Sequence, residues 1–242
     1  YSWTQYQWNG EQFDAIDQYS YDSRILYKLD EMPVTEYDLE VPVLVGNTVI
    51  VSDIFEFVSV LGSDRTIQMK PGVYDFDKLN DAVKNTAIEW ENSQYFSGLR
   101  VKDIQNLTIE ALEEGTVEIV SPGGDVIVMT FLNCRNLTFK NLILGHGFDS
   151  YEDEAQVLRF SSCSDISLQN CTLYKGGTYG FTADNCKKLS LSNSIIEECS
   201  HGAARITDSE DIVMDGCDLR NNRGDSLLSI TSSKHVELKD TL

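Results

Sequence analysis

A chain of 242 residues has room for one elongated domain with a small appendage, and 41% apolar residues suffice for a continuous core. Its 39 acidic against 19 basic side chains leave a net charge of −20. Such a surface repels a nucleic-acid backbone or an anionic membrane, and admits an acidic polysaccharide only at a local basic patch or through a bridging cation. No apolar run approaches the roughly 18 residues that cross a bilayer, so membrane insertion is not expected.

The chain begins at Tyr1 rather than Met. That start fits a removed leader or a trimmed N-terminus and does not itself place the protein; the acidic surface, of a kind common in secreted proteins, sets the expectation of a secreted or cell-surface protein of bacterial type. Thr4–Trp8 alternates, Asn9-Gly10 is a strong hairpin turn, and Gln12–Ile16 supplies a return strand, predicting a small β-hairpin. Tyr1, Trp3 and Trp8 are read as packing that hairpin rather than stacking on sugar rings. Residues 31–47 read as a linker, which sets the boundaries at 1–47 and 48–242.

Past the linker, Ser52 or Asp53 is placed to N-cap a short helix. Its apolar face holds Ile54, Phe57, Val58 and Leu61, and Gly62 ends it. A capping helix of this kind shields the open end of a repeat structure. A strand at Thr66–Met69 and a Pro71-Gly72 turn follow. Leu79, Ala82, Val83 and Ala87 are loosely periodic, predicting a second helix or an insertion over 77–97.

From about residue 100 the sequence repeats. Asn136–Leu144, Asp165–Leu173, Lys188–Ile196, Asp211–Leu219 and His235–Leu242 align without gaps over eight positions, with starts 29, 23, 23 and 24 residues apart. Asn106–Ala111 reads as an earlier copy. Each copy alternates two apolar residues with polar ones, as in Leu137/Phe139 and Ile166/Leu168, which is the period of a half-buried strand. A bend follows, with Asn141, Asn170, Asn193, Gly216 and Asp240 in register. These residue types tolerate left-handed backbone, and stacked asparagines hydrogen-bond along a ladder. A second short strand carries Leu144, Leu173 and Ile196.

A third strand precedes each copy: Val128–Phe131, Val157–Phe160, Gly180–Ala183, Ala203–Ile206 and Leu227–Ile230. Three strands per turn of roughly 23 residues predict an all-β parallel β-helix. Leu242 falls halfway through a coil. That points either to ordered chain beyond it or to another chain covering the apolar interior, and self-association at that end is a possible partner interaction.

The six cysteines do not fit a disulfide framework. Cys134, Cys163 and Cys186 share one column with Ser209 and Ser233, and a column of three cannot fully pair. Cys171 and Cys217 share another but lie two coils apart, too far for a bridge. Buried free thiols are expected. No closely spaced Cys or His ligand pattern for zinc is present.

The asparagine ladder and the strand–bend–strand rhythm resemble those of the right-handed β-helix family that includes pectate lyases, pectin lyases and polygalacturonases. The helix followed by Pro71-Gly72-Val73-Tyr74 is similar to the start of many such chains. The resemblance covers roughly residues 50 to 242. It implies a right-handed solenoid with a cleft over the strand preceding the first bend, walled by the loops that lead into it. Because the family also holds non-catalytic adhesins and structural coils, it leaves activity open.

On this chain the cleft strand presents Thr130, Arg159, Thr182, Arg205 and Ser229 outward, with Asp184 just beyond. Arg159 and Arg205 lie two coils apart, about 10 Å by strand spacing, a clamp for a carboxylate-bearing sugar chain because guanidinium binds carboxylate in a fork. Arg159, Arg205, Asp184 and His201 are the candidate catalytic residues. His146, Tyr179, Arg223 and Asp225, on the loops leading into the column, are candidate substrate contacts. The insertion with Asp149, Glu152, Asp153 and Glu154 offers oxygen ligands for calcium, against the plainer reading of a solvated acidic loop.

A calcium-dependent lyase is expected to carry several carboxylates on the cleft strand, where this chain has only Asp184. A polygalacturonase-like hydrolase is expected to carry paired aspartates. Gly145-His146-Gly147 matches a short motif of that group without those aspartates and reads as a coincidental turn. Two function classes follow. The favoured one is a polysaccharide-binding or structural β-helix without catalysis, and the alternative is a uronate polysaccharide lyase or glycoside hydrolase.

Overall fold

The computed structural model describes residues 2–8, 13–20, 46–79, 83, 85–92, 97–121, 125–147 and 155–242. Two compact units comprise the chain, Tyr1–Leu39 and Glu40–Leu242. In the first, Ser2–Trp8 pairs antiparallel with Phe13–Ser20, with an irregularity between Gln5 and Tyr6. The Asn9-Gly10 turn expected there lies outside the described residues.

The second unit is a parallel β-helix with three sheets. Sheet 1 runs Ile88–Asn92, Ser97–Lys102, Val126–Leu132, Leu158–Ser161, Tyr179–Asp184, Gly202–Thr207 and Leu228–Thr231. Sheet 2 starts at Thr48–Val51 and Arg65–Met69, then takes one strand from each repeat, from Gln105–Ala111 to Lys234–Lys239. Sheet 3 stacks Gly72–Asp75, Val117–Ser121, Ile143–His146, Thr172–Tyr174 and Ile195–Glu197. Pairing between coils is parallel and in register throughout sheet 2.

In-register stacking turns the sequence repeat into interior columns. Leu107, Leu137, Ile166, Leu189 and Ile212 form one, and all are buried. Phe131 stacks on Phe160 with ring centroids 5.6 Å apart, and Phe139 meets both edge-on. Each such side chain contributes about 1.5–3 kcal/mol through burial.

The corners are made by left-handed residues. Asn141, Asn170, Asn193, Gly216 and Asp240 all have positive φ, between 42° and 64°, at the corner between sheets 2 and 3. The predicted ladder forms there, with Asn170 Nδ2 donating to Asn141 Oδ1 at 3.1 Å. At the corner between sheets 1 and 2, two left-handed residues flank each stacked side chain, as Asn133 and Asn136 flank Cys134.

Those stacked side chains are interior staples. Ser209 Oγ accepts from the Cys186 amide at 2.9 Å and donates to the Thr207 carbonyl at 2.7 Å. Cys163 Sγ accepts from the Cys134 amide at 3.4 Å and lies 3.2 Å from the Ser161 carbonyl. Thiol and hydroxyl thus fill the same slot in successive coils. All six cysteines are free and buried, as the column argument predicts. Cys199 belongs to a ladder at the third corner, where Asn222 Oδ1 accepts from its amide.

The helix at Ile54–Val60 is N-capped by Asp53, which accepts from the Glu56 amide, while Glu56 accepts from the Ser52 amide. Ile54, Phe57, Val58 and Val60 are its buried residues. Over 77–97 the described residues form a turn and a strand rather than the second of the two expected helices, and the alternative of an insertion stands. A single 3-10 turn at Phe76–Lys78 is followed by a strand at Ile88–Asn92, which pairs antiparallel with Ser97–Lys102. Leu79, Val83 and Ala87 pack against the core, and residues 80–82 and 84 between them lie outside the described residues.

Candidate functional site

The outward face of sheet 1 carries one continuous column. Arg100 pairs with Thr130, Thr130 with Arg159, Arg159 with Thr182, Thr182 with Arg205, and Arg205 with Ser229. Arginine therefore alternates with a short hydroxyl residue on every second coil, about 9.6 Å apart at a strand spacing of about 4.8 Å. Thr130 and Thr182 are 4% exposed, sunk between the longer side chains. The alternation lets each guanidinium project without a like charge on the neighbouring strand.

The three arginines have different surroundings. Arg100 is clamped by the antiparallel strand beside it, with Glu89 at 2.9 Å and Glu91 also ion-paired. Lys102 shares Glu89 at 2.7 Å, and the hydrogen bonds from Lys102 and Arg100 hold the Glu89 carboxyl below its ordinary range. Arg159 is half-buried at the centre of the column. Arg205 is exposed, and its guanidinium lies 5.7 Å from the centroid of the Tyr179 ring. Among the described residues no carboxylate ion-pairs with Arg205.

His201 completes a trio, its ring 6.1 Å from that of Tyr179. The structure thus brings together Arg205, His201 and Tyr179, with Arg159 two strands away. Asp184 is exposed on the same face, in register with Ser161 and Thr207, one column over from Thr182. Arg223 and Asp225 are exposed on the neighbouring loop. That loop is tied down by the Arg223 amide donating to the Cys199 carbonyl at 2.8 Å. It closes on His201 at Gly224, whose φ is +93° and where a methyl group would overlap the His201 carbonyl.

His146 is placed elsewhere. It is fully buried, with Nδ1 2.8 Å from the Lys175 carbonyl oxygen and Nε2 2.8 Å from the Val126 carbonyl oxygen. It ties coils together and offers no face to a ligand on the outside of sheet 1, so the expectation of a substrate contact is corrected. Gly145-His146-Gly147 is not a turn either. Gly145 and His146 end a sheet 3 strand, and Gly145 leaves room for the Tyr174 ring.

The calcium ligands proposed at Asp149, Glu152, Asp153 and Glu154 lie outside the described residues. Among the described residues no three Cys, His, Asp or Glu side chains gather as a metal site. Sequence reasoning missed Arg100 and its glutamate clamp. The signal was present, because Arg100 precedes Asn106 by the same six residues that separate Arg159 from Asp165 and Arg205 from Asp211.

The chain is similar to solved structures of low sequence identity. The Geobacillus virus E2 protein ORF18 is 9% identical, with a TM-score of 0.51, over 98% of this chain and 46% of that one. The pectate lyase pelN from Paenibacillus sp. 0602 is 9% identical, TM-score 0.45, over 70% of this chain and 60% of that one. The pectate lyase Pel9A is 12% identical, TM-score 0.47, over 66% and 40%. The chain therefore spans less than two thirds of the length of these three proteins. No curated protein sequence matches it significantly. The family model for the right handed beta helix region matches residues 71–241, and the chain belongs to that right-handed β-helix family.

Proposed function

We propose that the chain is a polysaccharide-binding β-helix, secreted or displayed at a cell surface, that holds an anionic, uronate-type glycan along the outer face of sheet 1. The observation that carries this reading is the in-register column in which Arg159 and Arg205 stand two coils apart. A polymer lying along the solenoid axis meets a guanidinium at every second strand, and each binds a carboxylate in a fork. Tyr179 holds the Arg205 guanidinium in place and offers an aromatic edge beside it. The protein as a whole is acidic, so this column supplies the local cationic strip that such a ligand needs.

Binding without cleavage is favoured over catalysis. A lyase working through a metal needs a cluster of carboxylates, and among the described residues no three Cys, His, Asp or Glu side chains gather into one. The alternative keeps one supporting observation, that His201 and Arg205 share one spot with Asp184 on the same face.

The test is calorimetric titration with polygalacturonate, alginate and an uncharged glucan, alongside assays for unsaturated products and new reducing ends, with and without calcium. Hydrogen bonds to charged groups are worth about 1.5–3 kcal/mol. Arg159→Ala or Arg205→Ala should then weaken polyuronate binding by roughly 10- to 100-fold. Equal binding of the uncharged glucan, or no loss in either variant, would sink the proposal. Product formation that vanishes in these variants would replace binding by lyase or hydrolase activity.

A further inference from the structure

We infer, on the reading of sheet 1 as a polyuronate-binding face, that Glu89 and Glu91 are specificity-determining residues: they occupy Arg100 as a bound uronate would, and so fix the length of glycan that the column reads. The column does not end on Arg100. Antiparallel pairing sets Glu89 directly opposite it, so the register runs Glu89, Arg100, Thr130, Arg159, Thr182, Arg205, Ser229. Ile88–Asn92 is the last strand of sheet 1. At the end of a column of arginines and hydroxyls, the chain places its own carboxylate.

Two carboxylates converge on that guanidinium. Glu89 Oε1 accepts from Arg100 Nη1 at 2.9 Å, and Glu91 Oε1 accepts from Arg100 Nη2. Both terminal nitrogens, the pair that grips a ligand carboxylate in a fork, are thereby engaged. Glu91 stands opposite Gly98, where a methyl group would overlap the Ile127 carbonyl oxygen, so no side chain there competes for the space beside Arg100. The Arg100 side chain is left 26% exposed and that of Glu91 13%. An edge strand needs only charge to resist pairing with another chain; here both charges are drawn onto one guanidinium.

Lys102 takes the other oxygen of Glu89 at 2.7 Å, so the cluster of two bases and two acids is neutral. A glycan lying on Arg205 and Arg159 and continuing toward Arg100 would meet no free guanidinium there. Its next carboxylate would instead approach two others, and like charges at short range repel. The strand that presents them is anchored, since Ile88 packs against the core and Trp90 meets Phe76 edge-on with ring centroids 6.5 Å apart. The segment read by the column therefore spans Arg159 to Arg205, about 9.6 Å, rather than the roughly 19 Å from Arg100 to Arg205.

The experiment titrates the folded protein calorimetrically with a graded series of oligogalacturonates. Wild-type affinity should level off once an oligomer spans Arg159 and Arg205. In the double variant Glu89→Gln with Glu91→Gln, Arg100 is unmasked, and affinity should go on rising to oligomers about twice as long, ending roughly 10-fold above wild type. Adding Arg100→Ala should remove most of that gain, since Lys102 alone remains. Removing two negative charges strengthens anion binding at long range, so Glu210→Gln with Glu237→Gln, which takes the same charge from sheet 2, is the control and should leave the levelling length where it is. Glutamine keeps the shape of glutamate, and the single variants Glu89→Gln and Glu91→Gln should each show part of the shift if the double variant melts early. Wild-type affinity that keeps rising over the longer oligomers, or a levelling length unchanged in the double variant and in both single ones, overturns this inference and leaves the polyuronate reading standing. No binding of any oligomer by the wild type overturns both.

Discussion

Replacing Gly224 by alanine tests how the loop of Arg223 and Asp225 is held to the site. Gly224 has φ +93°, and an added methyl would sit 2.7 Å from the His201 carbonyl carbon and 2.9 Å from its Cα, in addition to overlapping the carbonyl oxygen. All three atoms are backbone, so no side chain is able to swing away. Left-handed backbone costs a non-glycine residue about 1–2 kcal/mol. Relief of the overlap moves either the exposed loop or the His201 backbone. The loop is the softer of the two, so the total cost should stay near 1–3 kcal/mol rather than unfold a coil.

Gly115 is the internal control. Its φ is +72°, but nothing lies within 4 Å of an added methyl, so Gly115→Ala carries the backbone cost alone. Thermal melts should show a larger drop for Gly224→Ala. Hydrogen exchange should show a faster Arg223 amide, because its 2.8 Å bond to the Cys199 carbonyl is strained. Polyuronate affinity should fall only in Gly224→Ala. Equal effects of the two substitutions, with an unchanged Arg223 amide, would refute the packing of this loop on His201.

Two further outcomes follow from the interior ladders. Ser209→Val should destabilise the solenoid by about 1–3 kcal/mol, because it leaves the buried Cys186 amide without its acceptor; Cys186→Ser should cost less than half as much in the same denaturant titration. Burial pushes the Cys171 thiol up to about 11 and the Cys199 thiol up to about 12, from an ordinary value of 9.0. Between pH 9 and these values the unfolded chain has lost protons that the folded chain keeps, so stability is complete below about pH 9 and falls as pH rises toward 11 and 12. Melting temperature should decline across that window, and Cys171→Ser should remove part of the decline.

The solenoid was legible because its two determinants are local. Alternation of Leu189 and Leu191 with serines marks a strand, and Asn141, Asn170 and Asn193 mark a bend in residue types that tolerate positive φ. Other left-handed corners are hidden, since Lys175, Lys188, Glu198 and His235 occupy them with no such preference. Parallel register then placed Arg159, Thr182 and Arg205 in one column with no further information.

What remained hidden depends on distant partners. His146 is removed from the surface by carbonyls of Val126 and Lys175, 20 and 29 residues away. Ile88–Asn92 becomes a strand because Ser97–Lys102 offers it an edge. The trio of Arg205, Tyr179 and His201 arises from side-chain directions that spacing does not encode.

The net charge of −20 and the proposed anionic ligand pull in opposite directions, and their ranges differ. At about 0.01 M salt the Debye length is about 30 Å, so a polyuronate on sheet 1 feels the acidic residues of much of the solenoid. At about 0.15 M it is about 8 Å, and only the column and its immediate neighbours, chiefly Arg159, Arg205 and Asp184, remain in range. Forked guanidinium–carboxylate contacts act at hydrogen-bond distance and survive that screening, then weaken toward about 1 M, where the length is about 3 Å. Polyuronate affinity should therefore rise from low to physiological salt and fall again beyond it. In Arg205→Ala the rise should persist while the maximum drops, since the long-range repulsion is unchanged and one short-range contact is gone. An affinity that is greatest at the lowest salt and declines throughout would mean that the cationic strip outweighs the surrounding acidic residues even at long range, and would refute this balance of ranges.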